Sequence, residues 1–232
     1  MVISKVLITG GTGFVGKWIE RTASANMLLT SLNRADYKEY DSTYLSWDWN
    51  YVIHLAPIAP TFALECAKRQ KIRLLYASSG IVYHPENDSE YRRNKLAWEQ
   101  ECLESGADVV IARLFTFSGE GLDDNKALVA FEKAARANQQ INIWGDGKTI
   151  RSYMHGATMG LWLWAILLHG ERGEAYDVGS DIPITMLKLA QNLKKVYQSQ
   201  SPIYIHGGKD PMPVYLPPNT AKTRRLLTKN VV

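Results

Sequence analysis

The sequence predicts an α/β fold, a doubly wound parallel sheet with a smaller C-terminal region attached. Three observations predict it. Short apolar runs alternate with stretches of helical spacing from residue 5 to residue 114. Those runs are continuous rather than alternating, as in strands buried on both faces. A glycine-rich turn joins the first run to the first helix-like stretch.

The elements are read in chain order. Lys5–Thr9 is a buried strand, Gly16–Ala25 a helix and Met27–Asn33 a second strand. Tyr51–Ala56 is a third strand. Thr61–Lys71 has helical spacing through Phe62, Ala63, Cys66 and Ala67. Arg73–Ser78 is a strand, Tyr91–Ser105 a helix and Asp108–Leu114 another strand. Right-handed crossovers then put helices on both faces. Beyond a soft boundary near Gly119, Asn125–Ala137, Ala157–Leu168 and Ile184–Val196 read as helices. Ile141–Ile143 and Ala175–Val178 read as short strands, and Pro202–Pro218 as irregular. The expected division is a dinucleotide-binding core over 1–118 and a substrate-binding region over 119–232, partly interleaved with the core. The second part is too small to fold alone and is expected to cap the sheet edge where ligands bind.

Composition sets the bounds. The 232 residues carry 27 Lys+Arg and 23 Asp+Glu, a net +4, with 46% hydrophobic and 22% charged residues. A packed domain is ordinary at those values, and a disordered chain or collagen-like fibre is excluded. The mild positive charge suits an anionic ligand without implying nucleic acid. Cys66 and Cys102 are too few for a disulfide framework or a four-ligand zinc site, and both read as small core residues. The histidines show no metal spacing, so no metal is expected; His84 alone is placed near a possible site. Trp162 and Trp164 read as core, and the Lys222, Arg224 and Arg225 run as surface helix. The N-terminus lacks the pattern of a signal peptide, and Met159–Leu168 is too short to span a membrane. A cytoplasmic protein without membrane or nucleic-acid partners is the expectation.

The strongest motif is Thr9-Gly10-Gly11-Thr12-Gly13-Phe14-Val15-Gly16. Placed between a strand and a helix, it has the context of a Rossmann-type dinucleotide fingerprint. Gly10 allows a tight turn, Gly13 lets the backbone approach a pyrophosphate, and Gly16 permits close packing of helix on strand. The helix start, with Phe14 and Val15 in its first turn, offers free N–H groups to phosphate. An acidic residue about 20 positions further on usually marks NAD. Here the second strand ends Asn33-Arg34-Ala35-Asp36. Arg34 suits the 2′-phosphate of NADP, whereas Asn33, or Asp36 if the loop folds back, suits the ribose hydroxyls of NAD. Both cofactors stay open.

Tyr91-Arg92-Arg93-Asn94-Lys95 stacks a tyrosine and a lysine one turn apart. The ammonium favours phenolate, so Tyr91 can act as acid or base at a carbinol or carbonyl while Lys95 holds the nicotinamide ribose. Ser79 supplies a hydroxyl to orient the substrate oxygen.

In these motifs the chain resembles the extended short-chain dehydrogenases/reductases, specifically the NAD-dependent nucleotide-sugar epimerase/dehydratase family. The resemblance rests on TGGTGFVG, YVIHLA, LLYASSGIVY, YRRNK, ARLFTFSGEG, WGDGKTIRSYMH and YDVGS, in that order. It implies Ser79, Tyr91 and Lys95 as the catalytic set. It places Leu55 and Ala56 along the cofactor cleft, Arg151 on the substrate diphosphate, Lys209 as a second phosphate contact and Thr116 against the sugar nucleotide. A homodimer through Thr61–Lys71 and Tyr91–Ser105 is implied as well. Departures are visible. Thr116 replaces the usual Asn, the Ser79–Tyr91 connection is brief, and the segments after the second strand and after HLA are shortened. Ser79 is followed by Gly80-Ile81 rather than by the Asp-Glu pair of dehydratases. The expected activity is 4-epimerisation of a nucleotide sugar. A 4-keto-sugar reductase using NADPH, which the RADYKEYDS segment resembles, and a non-catalytic dinucleotide sensor are the alternatives.

Overall fold

The computed structural model describes residues 3–32, 45, 47–208, 210 and 212–228. Six strands form the central sheet: β1 (Ser4–Thr9), β2 (Met27–Leu32), β3 (Tyr51–His54), β4 (Arg73–Ser79), β5 (Asp108–Leu114) and β10 (Ala175–Val178). Their spatial order is β2-β1-β3-β4-β5-β10, and every neighbouring pair is parallel. The order reverses between β1 and β3. Such a switch point opens a crevice at the carboxyl ends of the strands.

The continuous apolar runs are explained by the two cores. Val6, Ile8, Leu75 and Val110 point to one face, where α1 (Phe14–Arg21) and α5 (Gly156–His169) cover them. Leu7, Leu74, Tyr76, Val109 and Ile111 point to the other, under α2 (Thr61–Gln70) and α3 (Glu90–Glu104). Helix α5 lies so close to α1 that a Cβ at Gly156 would overlap the Trp18 ring. Trp162 and Trp164 are buried there, and the Trp164 indole donates to the Ile19 carbonyl at 3.1 Å.

The C-terminal region has its own small core. Phe131 and Ala135 of α4 (Ala127–Arg136) pack on Met186, Leu189 and Ala190 of α6 (Met186–Val196) and on β7 (Ile141–Ile143). Strand β10 returns from this region to the central sheet. Two small sheets hold it together. Strand β12 (Ile203–Ile205) pairs with β7, and β8 (Ile150–Arg151) pairs with β11 (Ile184–Thr185) and β13 (Val214–Tyr215). A short parallel pair, β6 (Phe117–Ser118) with β9 (Met154–His155), completes the strands. Helix α7 (Thr220–Leu227) closes the chain against α5 and β10.

Four expectations are corrected. Pro202–Pro218 holds two strands, not an irregular stretch, because backbone pairing with β7 and β8 decides it where side-chain periodicity is too short to read. Helix α6 starts at Met186, where the Thr185 hydroxyl caps it by accepting from the Lys188 amide at 3.2 Å; Ile184–Thr185 is a strand. Helix α1 starts two residues early and stops at Arg21 instead of Ala25; the Thr22 hydroxyl donates to the Trp18 carbonyl at 2.7 Å. Helix α3 begins at Glu90, with Ser89 accepting from the Arg92 amide.

Candidate active site

The site lies at the carboxyl ends of β1, β3 and β4. Gly10 follows β1 with φ +75°, a conformation that strains a residue bearing a Cβ. A Cβ there would also stand 2.8 Å from the Ala56 nitrogen. Gly10 therefore lets the turn close on Leu55–Ala56. Gly13 differs, because a Cβ would meet only the Gly10 carbonyl oxygen at 3.6 Å and otherwise point into open space. Gly13 is also the N-cap of α1, whose first turn has no side-chain cap and no acidic residue. The N–H groups of Phe14 and Val15 thus remain available to an anion. The cradle fits a dinucleotide pyrophosphate. Gly16 has a different partner from the expected strand: a Cβ there would overlap the backbone of Gly11, so the glycine closes the loop on itself.

His54 forms the floor between β1 and β3. The Ile58 carbonyl can only accept, so Nε2 donates to it at 3.0 Å and Nδ1 accepts from the Thr9 hydroxyl at 2.8 Å. Burial lowers its pKa to about 4, so it is a neutral structural tie.

Helix α3 presents Tyr91 in its first turn, 50% exposed, and Lys95 in its second, 4% exposed. Lys95 Nζ donates to the Ala77 carbonyl at 2.8 Å and lies 5.9 Å from the centre of the Tyr91 ring. Burial brings its pKa down to about 8, against the pull of Glu99. Ser79 is buried at the end of β4. Its hydroxyl accepts from the Ile81 amide at 3.3 Å, capping the short turn Gly80–Tyr83. Ser79 Oγ is also 3.5 Å from the Tyr215 hydroxyl.

Tyr215 escaped the sequence reading. It sits on β13 opposite Arg151 of β8, so a strand pair carries it over the end of β4. Its ring packs on Phe115 at 5.1 Å and on His84 at 5.2 Å, which brings His84 to the edge of the site. Burial raises its pKa. The position lies in the stretch read as irregular, so nothing in the pattern singled it out.

Beyond Tyr215 opens a cavity of about 770 Å³. Thr116, Lys126, Trp144, Arg151 and Asp210 are among its lining residues. Arg151 is engaged on one side. It donates to Asp210 Oδ2 at 3.0 Å and to the carbonyls of Ile150 and Met212 at 2.9 Å each. Asp210 also accepts from the Thr149 hydroxyl at 3.1 Å and the Met212 amide at 2.8 Å. Asn33, Arg34, Asp36 and Lys209 lie outside the described residues. Ser79, Tyr91 and Lys95 thus lie around the carboxyl end of β4, two strands from β1, whose carboxyl end carries the glycine turn, and Thr116 and Arg151 line the cavity that Tyr215 borders.

Other expectations can be placed. Cys66 and Cys102 are buried, and burial pushes both thiols up to about 12. Lys222 and Arg224 form surface pairs with Glu174 and Asp181. Among the described residues no group of three His, Cys, Asp or Glu is placed to hold a metal, and no helix is long and apolar enough to cross a membrane.

The chain is similar to several known proteins. UDP-glucuronic acid decarboxylase 1 of Arabidopsis thaliana is 26% identical over 163 residues, covering 60% of this chain. The chain spans only 37% of that relative's length. A UDP-glucuronic acid 4-epimerase of Bacillus cereus, solved with NAD, superposes with a TM-score of 0.79 at 19% identity, covering 97% of this chain and 90% of the other. RMD of Pseudomonas aeruginosa, solved with NADPH, gives 0.79 at 22% identity, covering 97% and 92%. These two share the fold. Residues 48–179 match the model of the NAD dependent epimerase/dehydratase family, and the chain belongs to that family.

Proposed function

We propose that the chain is an NAD(P)-dependent enzyme acting on a nucleotide sugar as a 4-epimerase, with Tyr91 as acid and base at the C4 oxygen. The observation that carries the reading is that Ser79, Tyr91 and Lys95 lie around the carboxyl end of β4, on the same sheet edge as the open face of Gly13 after β1, with the cavity bordered by Tyr215 on the Ser79 side. Gly10, Gly13, Phe14, Val15 and Gly16 hold the pyrophosphate of the dinucleotide. Leu55, Ala56, Tyr91 and Lys95 hold its nicotinamide half, and Asn33 or Arg34 its adenosine ribose.

The nicotinamide, when bound, accepts a hydride and returns it. The chain's own residues handle the proton. The Ser79 hydroxyl orients the C4 oxygen, and Tyr91 removes its proton and later gives it back. The ammonium of Lys95, 5.9 Å from the centre of the Tyr91 ring, offsets negative charge that develops on the phenol oxygen during the transfer and suits ribose hydroxyls. Thr116, Arg151 and Lys209 receive the sugar nucleotide, and its diphosphate shares Arg151 with Asp210. A 4,6-elimination requires an acid after Ser79, where this chain has Gly80-Ile81. The helices α2 and α3 form the proposed homodimer contact.

Two other readings have specific support. Arg34, two positions after Leu32 in the sequence, favours a 4-keto-sugar reductase using NADPH. The Arg151–Asp210 pair, which leaves less cation for a diphosphate, favours a dinucleotide sensor. The test is proton NMR of UDP- and dTDP-sugars incubated with the protein and catalytic NAD. The proposal expects C4 epimers from the parent and none from Tyr91→Phe, which still binds NADH. Identical product spectra from parent and Tyr91→Phe refute the assigned role. Conversion only of 4-keto sugars with NADPH favours the reductase.

A further inference from the structure

Lys95 is a cation taken out of water with little to keep it charged. Its hydrogen bond goes to a neutral carbonyl, and its other neighbours are the rings of Tyr76 at 5.0 Å, Trp98 at 5.6 Å and Tyr91 at 5.9 Å. The titratable groups facing it come from three elements. Strand β3 offers His54, which is neutral above its pKa of about 4. Strand β4 offers Tyr76, whose phenol burial holds in the neutral form. Helix α3 offers Tyr91, Cys102 and Glu99, and the Cys102 thiol stays protonated up to about 12. Glu99 is the one carboxylic side chain of this set.

Glu99 is itself buried and fixed. It accepts from Arg113 Nε at 3.0 Å and Nη2 at 2.6 Å, and from the Ser78 hydroxyl. Arg113 is fixed in turn, donating to the Tyr83 hydroxyl at 2.7 Å, which donates to Asp177 at 2.9 Å. A carboxylate clamped this way cannot swing to Lys95, nor can it leave. It acts on the ammonium one turn away through the low-dielectric interior, where charges interact strongly.

We infer that Glu99 is a positioning residue of the site: clamped by Arg113 and Ser78, its carboxylate keeps Lys95 charged, and through Lys95 it acts on Tyr91. The consequence for Tyr91 rests on the acid–base reading above, whereas the coupling of Glu99 to Lys95 does not. Glu99→Gln keeps the shape and removes the charge, and it lowers the titration midpoint of Lys95 by roughly one pH unit. Glu99→Gln/Arg113→Gln leaves no lone buried charge. It serves if the single variant folds poorly, and its shift has the same direction and smaller size.

The experiment is urea unfolding of the cofactor-free protein from pH 6 to 8.5, for the parent and both variants, each with and without Lys95→Met. A buried lysine of depressed pKa makes stability rise as pH climbs through that pKa, because the unfolded chain then binds more protons. The parent rise sets in near pH 8, the folded-state value of Lys95, and runs on toward the unfolded lysine value of about 10.4; in Glu99→Gln it sets in about one unit lower. The difference vanishes in the Lys95→Met background. A Glu99→Gln profile parallel to the parent, or a shift that persists without Lys95, overturns the inference. NADH binding separates the two layers. With midpoints of about 8 and 7, the charged fraction of Lys95 at pH 7.5 differs about threefold, and NADH affinity falls by that factor while matching the parent at pH 6. An unfolding shift without this pH-dependent loss upholds the Glu99–Lys95 coupling and refutes the assignment of Lys95 to the cofactor.

Discussion

Two neighbouring glycines of the cradle respond oppositely to the same added methyl group. At Gly10, alanine must adopt φ +75° and place its Cβ 2.8 Å from the Ala56 nitrogen. The left-handed conformation costs about 1–2 kcal/mol, and overpacking against backbone about 1–3 kcal/mol. Gly10→Ala is therefore destabilised by about 2–5 kcal/mol. At Gly13 the backbone is extended, φ −76° and ψ 176°, and a Cβ meets nothing nearer than 3.6 Å. Restricting the unfolded chain stabilises by about 0.4–1 kcal/mol. Losing glycine for alanine at an N-cap costs about 0.5–1 kcal/mol. The two terms offset, so Gly13→Ala unfolds within about 1 kcal/mol of the parent. Its methyl group nevertheless occupies the open face proposed to receive the pyrophosphate, so the expected NADH or NADPH affinity falls at least tenfold. Urea unfolding followed by tryptophan fluorescence reads the first quantity, and titration of nicotinamide fluorescence the second. A Gly13→Ala protein that binds the cofactor like the parent refutes the cradle geometry. So does one that is destabilised as much as Gly10→Ala.

Three further outcomes follow from the buried polar groups and the sheet. Arg113→Met leaves the buried Glu99 carboxylate without its charged partner and destabilises the fold by about 3–5 kcal/mol in chemical denaturation; a loss below 1 kcal/mol contradicts the clamp. His54 titrates at about 4 in the folded protein and about 6.5 unfolded, so stability falls as pH drops from 6.5 toward 4, by up to about 3 kcal/mol. His54→Gln flattens that part of the pH–stability curve, and an unchanged slope places the titrating group elsewhere. Leu75→Ala, in the middle of β4 and fully buried, costs about 2–5 kcal/mol with cofactor affinity largely retained in the folded fraction.

The sheet was legible because its strands are buried on both faces. Val6, Leu7 and Ile8 must all be apolar when helices cover both sides, and that run is visible without any partner. The glycine loop was legible for a related reason: backbone closeness leaves few residue choices at Gly10 and Gly16. Tyr91 and Lys95 were legible by spacing, since one helix carries both. Tyr215 was not, because it reaches Ser79 across 136 positions through a two-residue strand whose only signal is pairing with β8. The clamp on Glu99 was hidden for the same reason, as Ser78 and Arg113 come from adjacent strands. The Asp210 contact to Arg151 likewise depends on a chain return that local pattern does not encode.

Mass spectrometry of the dinucleotide released from gently purified, then denatured, protein tests the central claim most directly. The account predicts NAD or NADP in the released fraction, near-stoichiometric NAD for an epimerase that retains its cofactor. An empty protein that then binds NADPH in preference to NADH keeps the cradle and turns the reading toward the reductase. An empty protein that binds neither NADH nor NADPH contradicts the assignment of Gly10, Gly13 and Lys95 to a dinucleotide, and with it the proposed chemistry at Tyr91.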